Sequence, residues 1–287
     1  MCFLKNIGLA FYNLFIFFNV MAMMPAIASD CDVGHAPAAA KCHRTIKDIP
    51  YLESHGDAHK ADRCALDIHF PEDGKNLPVV IMFHAGGLVG GKREIPHELQ
   101  NQGIIVVAPG YRLSPEVKAP AYIEDASAAV AWVFRHIADY GGSPDRIFLS
   151  GASAGGYLAA LVGLDKQYLA AHGIDANRLA AIAPITGQMT THFTVRAERG
   201  VGELCTVVDN LAPLHHVRKD APPILLVTGD REIELLGRYE ENAFFLRMLR
   251  LAGHKDNILH ELPGHDHAAT GPAGNRILLE FVRQRSP

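Results

Sequence analysis

The feature that most narrows the fold is a run of small residues, Gly151-Ala152-Ser153-Ala154-Gly155-Gly156, entered straight from an apolar β-like segment at Arg146 to Ser150 and left straight into a helical stretch. A strand that becomes a helix without a loop forces its central residue into a sparsely allowed backbone conformation. A side chain at Gly151 or Gly155 would collide with the neighbouring elements. The turn sets the Ser153 hydroxyl at the carboxyl edge of a sheet and the Ala154 amide at a helix start, where unsatisfied N–H groups can face an anion.

The surrounding pattern supplies such a sheet. From about Ala65 onward, β-like segments alternate with helical ones, which predicts a mainly parallel sheet with helices on both faces. Strands are expected at Ala65 to Phe70, Val79 to His84, Ile104 to Pro109, Arg146 to Ser150, Leu179 to Pro184, Ile224 to Gly229 and Ile258 to Leu262. Most are continuous apolar runs, as strands covered on both faces should be. The clearest helices are Tyr122 to Tyr140, Ala154 to Leu164, Gly237 to Leu251 and Asn275 to Arg283. No repeat or long linker divides the chain, so one domain is expected over residues 29–287. The polar, histidine-rich stretch 188–221 interrupts the alternation and is expected to be a lid insertion.

Residues 1–28 read as an export signal: Lys5 follows the start, Ile7 to Met24 is mostly apolar, and Pro25-Ala26-Ile27-Ala28 offers small residues for cleavage before Ser29. Asn13 and Asn19 within the apolar run argue against a retained membrane anchor. The expected location is periplasmic or extracellular, with no stable membrane association after cleavage. There Cys31, Cys42, Cys64 and Cys205 could form two disulfides, and no Cys-x-x-Cys pair suggests a metal clip. A net charge of -4 leaves no basic excess for phosphates, which excludes nucleic acid as an expected partner.

Two strands before the elbow, a strand ends in His84-Ala85-Gly86-Gly87. Acyl transfer builds negative charge on a carbonyl oxygen, and backbone N–H groups held in place can stabilise it. Residues without Cβ let the backbone approach closely, so Gly86 and Gly87 are the expected oxyanion donors, together with Ala154. His84 is read as a support for that loop. A serine hydroxyl needs a neutral histidine to take its proton, and in a strand-elbow-helix fold the chain order is serine, acid, histidine. The loop Leu262-Pro263-Gly264-His265-Asp266-His267 offers two candidate bases, His265 and His267. Beyond the strand Ile224 to Gly229, Asp230 and Glu232 compete as the acid. His215 and His216 are read as surface or lid residues.

His84-Ala85-Gly86-Gly87, Tyr111-Arg112-Leu113-Ser114-Pro115-Glu116, Glu124-Asp125 and the elbow together make residues 65–287 resemble the α/β-hydrolase serine esterases related to hormone-sensitive lipase and to the feruloyl and acetyl carbohydrate esterases. The resemblance implies a carboxylic-ester hydrolase without a cofactor, and the residues themselves suggest no metal site. Its Gly-x-Asp-His pattern matches His267 rather than His265, and its spacing from the strand-ending glycine favours Glu232 over Asp230. Arg112 and Asp125 are implied as scaffold for the loops. Two residues depart from the pattern: Ala85 stands for the usual first glycine of the oxyanion loop, and Ala152 for a polar residue before the serine.

The expected function is hydrolysis of a small acyl ester, including acyl-decorated sugars, through a Ser-His-acid triad and an acyl-enzyme. The alternatives are an aryl formamidase using the same triad and a catalytically silent binding protein on the same scaffold.

Overall fold

The computed structural model describes residues 42–202, 204–235 and 237–286. The expected export signal and Cys31 lie outside them.

Among these residues eight strands form one sheet: β1 His43–Pro50, β2 Ala65–Pro71, β3 Leu77–Phe83, β4 Ile105–Pro109, β5 Gly142–Ala152, β6 Ala181–Ile185, β7 Ile224–Gly229 and β8 Asn257–Leu262, in the order β1-β2-β4-β3-β5-β6-β7-β8. The pairs β1–β2 and β2–β4 are antiparallel, and every pair from β4 to β8 is parallel. Among the described residues seven α-helices accompany the sheet: α1 Ala58–Arg63, α2 Ala121–His136, α3 Ala154–Leu164, α4 Lys166–Ala170, α5 Phe193–Glu198, α6 Arg238–Leu251 and α7 His267–Gln284.

The continuous apolar runs are explained by two cores, one on each face. Val79, Ile81 and Phe83 alternate along β3 into a cluster with Ala129 and Val133 of α2, Leu158 of α3 and Phe245 of α6. Val80 and Met82, the residues between, join Phe148, Leu225 and the α7 residues Leu278 and Val282 on the opposite face. This is the α/β-hydrolase fold, with β5 near the middle and its carboxyl end free for the elbow.

Three features differ from expectation. Strand β1 was not anticipated, because His43–Pro50 has neither an apolar run nor a strict alternation. It forms on the open edge of β2, where Thr45 bonds the His69 ring (2.9 Å) and the Asp48 amide donates to Asp67 (2.9 Å). Helix α7 begins at His267 instead of Asn275, since Gly271, Pro272 and Gly274 disguise its first turns; the Asp266 carboxylate caps it by accepting from the Ala269 amide (2.8 Å). Thirdly, no disulfide joins any of Cys42, Cys64 and Cys205: Cys64 is enclosed in the core at 1% exposure, where burial pushes its thiol up to about 11, while the other two are exposed.

The stretch 188–221 contains α5 and is tied down at several points. Glu198 accepts from the Ala119 amide (3.0 Å), and the Tyr157 hydroxyl donates to Leu211 O (2.7 Å).

Candidate active site

The elbow carries the strain anticipated for it. Ser153 sits at φ 53, ψ -114, a region few residues with a side chain adopt. Its amide donates to Ile185 O (2.9 Å) and its carbonyl accepts from the Tyr157 amide (3.0 Å), so β6 and the first turn of α3 hold it from both sides. A Cβ on Gly155 would lie 2.1 Å from Phe83 O, and one on Gly151 2.4 Å from the Gly155 carbonyl carbon. Only glycine fits either place.

His267, the first residue of α7, reaches Ser153: its Nε2 is 2.9 Å from Oγ. Its Nδ1 lies 2.5 Å from Oε1 of Glu234. His265, the other candidate, turns its Nδ1 to Pro263 O (3.0 Å).

The structure corrects the choice of acid: neither Asp230 nor Glu232 meets His267. Beyond β7 the chain makes one helical turn, with the Glu234 amide donating to Asp230 O (2.8 Å). A residue four places on returns over the strand end, whereas Glu232, two places on, faces away and is exposed. Asp230 serves that turn, accepting from the amides of Glu232 (2.9 Å) and Gly264 (2.7 Å), which lower its pKa.

The Glu234 carboxylate is buried and held from four directions. Oε1 accepts from His267 and the Leu235 amide (2.9 Å), and Oε2 from the Gly229 amide (3.0 Å) and Thr186 Oγ1 (2.8 Å). Burial pushes its pKa up, but the hydrogen bonds from His267, Leu235 and Thr186 outweigh burial and hold it at about 2. An ionised Glu234 only accepts, so Nδ1 carries the proton toward it and Nε2 is left to accept the Ser153 hydroxyl proton. Sequence reasoning missed Thr186. It is a β-branched residue at φ 44, an outlier, pinned through its carbonyl by the Arg238 guanidinium and through its amide to Val227 O.

On the other side of Ser153, Gly86 and Gly87 have φ of +123 and +63. A Cβ on Gly86 would sit 2.2 Å from Gly90 O. The Gly86 carbonyl accepts from the amides of Val89 and Gly90, and the Gly87 carbonyl from Thr194 Oγ1 of α5. Both carbonyls are therefore engaged, while the N–H groups of Gly86 and Gly87 have no acceptor among the described residues. Ala154 opens α3, where its amide is one of the unsatisfied N-terminal donors. His84 stacks on Tyr111 (4.2 Å between centroids, 9° apart), and the Tyr111 hydroxyl donates to His84 O (2.8 Å). Burial lowers the His84 pKa to about 4, so the ring stays neutral under the loop. Arg112 grips the buried Asp125 with two side-chain bonds (2.8 and 2.7 Å) and its own amide (3.0 Å), bracing the Tyr111-Arg112 segment.

The arrangement can move a proton from a hydroxyl to an imidazole backed by a carboxylate, with backbone donors beside the hydroxyl.

The BD-FAE family model matches residues 66–183. Esterase LipC of Mycobacterium tuberculosis is 30% identical over 241 residues, covering 73% of this chain and 59% of the relative. Esterase LipQ of the same organism is 32% identical over 240 residues, covering 73% and 55%. The chain thus spans little more than half the length of these curated relatives. Among solved structures, a truncated carbohydrate esterase from gut microbiota superposes with a TM-score of 0.70 at 19% identity, over 87% of this chain and 99% of that one. Esterase B from Lactobacillus rhamnosis does so at 0.67 and 21%, over 86% of each.

Proposed function

Since the chain belongs to the α/β-hydrolase superfamily, we propose that it is a serine carboxylic-ester hydrolase acting on small acyl esters. The observation that carries the reading is the unbroken relay from Ser153 through His267 to Glu234, set beside Gly86, Gly87 and Ala154. The naming of its relatives as esterases agrees with it.

In this reading Ser153 Oγ attacks the ester carbonyl carbon and passes its proton to His267 Nε2. Glu234 keeps the ring oriented and stabilises the imidazolium. The carbonyl oxygen, now negative, accepts from the three backbone amides; one such donor is worth about 3 kcal/mol of barrier. The intermediate collapses, His267 returns the proton to the leaving alcohol, and an acyl-Ser153 remains. A water that gives its proton to His267 then attacks the acyl carbon, releasing the acid and regenerating the serine.

The test is a fluorophosphonate probe on the purified protein, followed by a panel of aryl acetates, butyrates, ferulates and acetylated sugars. Stoichiometric labelling at Ser153 with ester turnover is expected; an unlabelled Ser153 and no turnover would end the proposal. An aryl formamide run beside the aryl acetate decides which acyl bond is preferred. The same reading has residues 1–28 removed on export, which the N-terminal residue of protein recovered from periplasm or medium checks.

A further inference from the structure

A cavity of about 530 Å³ opens on the acid side of the triad, between the 188–221 stretch and the start of α6. No reacting group lines it, but three of its wall residues neighbour the site, two along the chain and one in space. Leu235 in its wall follows Glu234, Gln188 lies two residues beyond Thr186, and the Phe193 ring stands 3.3 Å from where a Gly87 Cβ would be. The rim is apolar and exposed, with Leu204 at 81% and Leu235 at 47%.

The interior is charged. Arg238 is 3% exposed and lines the cavity, and among the described residues its side chain makes one hydrogen bond, from Nη1 to Thr186 O. Its other guanidinium nitrogens have no hydrogen-bond partner among the described residues, and the residue stands in the cavity wall. No carboxylate among the described residues forms an ion pair with it. The two acids in its field are already used: Glu234 is committed to His267, and Glu241 accepts from the Met189 and Thr190 amides, the Thr190 hydroxyl and the Gln188 amide group. A second buried arginine, Arg196, lines the same space; burial, with a smaller contribution from Arg238 and Arg196, lowers the His192 pKa.

Holding a guanidinium out of water without an ionic partner is costly unless something that binds there supplies one. A carboxylate does so with two parallel hydrogen bonds. Resting on the esterase reading, we infer that the preferred ester carries a second, free carboxylate, which Arg238 receives in this cavity while Ser153 attacks the ester carbonyl.

Two matched pairs test this on the full chain: 4-nitrophenyl hydrogen glutarate against 4-nitrophenyl pentanoate, with the charge on the acyl side, and 3-carboxyphenyl acetate against phenyl acetate, with the charge on the alcohol side. One charged member should exceed its neutral partner in kcat/KM by at least about tenfold, the worth of a charge-assisted hydrogen bond. Arg238→Gln should bring that ratio close to one, and Arg238→Lys should restore part of it. Charged members favoured in neither pair, or a ratio that survives Arg238→Gln, would overturn the inference while neutral-ester turnover leaves the esterase reading intact. Should no ester be hydrolysed, that reading fails by itself. Calorimetric titration with glutarate then decides the cavity alone: binding weakened about tenfold in Arg238→Gln supports it, and absent or unchanged binding refutes it.

Discussion

At the end of β5 the chain has little freedom. Gly151 and Gly155 touch backbone where a Cβ would be, Ser153 is tied to Ile185, and the hydroxyl position follows from the backbone alone. At the end of β7, two strands away in the same sheet, three carboxylates stand within five residues, and the partner of His267 is selected by a single helical turn and by what the neighbouring strand offers. The first strand end is built by exclusion of side chains, the second by their cooperation. Groups fixed by backbone clashes announce themselves in the sequence; groups fixed by tertiary hydrogen bonds do not.

The sharpest challenge to this contrast is substitution of the reacting groups. Ser153→Ala should lower kcat by about six orders of magnitude with the melting temperature unchanged, measured with an aryl acetate. Glu234→Gln should cost about four orders of magnitude, because the imidazole loses its oriented partner; Glu232→Gln should stay within about threefold, as an exposed substitution. Equal losses at 232 and 234 would dissolve the distinction drawn at β7. Next in size, Gly155→Ala should destabilise the fold by about 3 kcal/mol through overpacking, read by denaturant unfolding, since the methyl would press on Phe83 O at 2.1 Å.

Thr186→Val keeps the shape and removes one donor to Glu234, so kcat should fall about tenfold, the value of a hydrogen bond to a charged group. The acid limb of the pH–rate profile is the specific readout for a carboxylate that has lost support. A further effect, on stability alone and confined to acid pH, concerns His84. In the folded chain it stays neutral down to about 4, against an ordinary value of 6.5. The unfolded chain therefore binds the extra proton between those values, so its share of stability is complete above 6.5 and lost as the pH falls toward 4. The loss is up to about 3 kcal/mol; His84→Phe, which retains the stack on Tyr111, should flatten that part of the stability curve.

Legibility in the sequence follows the same division. Strands β3 to β7 could be drawn from apolar runs because both of their faces are covered, and the elbow, Gly86, Gly87 and His267 could be named from their motifs. Strand β1 could not, since its pairing depends on the vacant edge of β2, and the start of α7 was hidden by Pro272 among glycines. The acid lies two residues beyond the position that spacing from Gly229 indicates, because the chain turns back on itself between Asp230 and Glu234. Thr186 and Arg238 carried no sequence signal: a threonine after a buried strand and an arginine at a helix start are common, and their importance arises only once β6, β7 and α6 meet.

Two residues with side chains, Ser153 and Thr186, occupy left-handed backbone at the tips of the adjacent strands β5 and β6. Neither would remain there in a loosened chain, so their geometry lasts only while those strands keep their register. Thermal inactivation should then track melting of the sheet as a whole, making turnover a faithful gauge of the folded fraction instead of an early casualty of local softening.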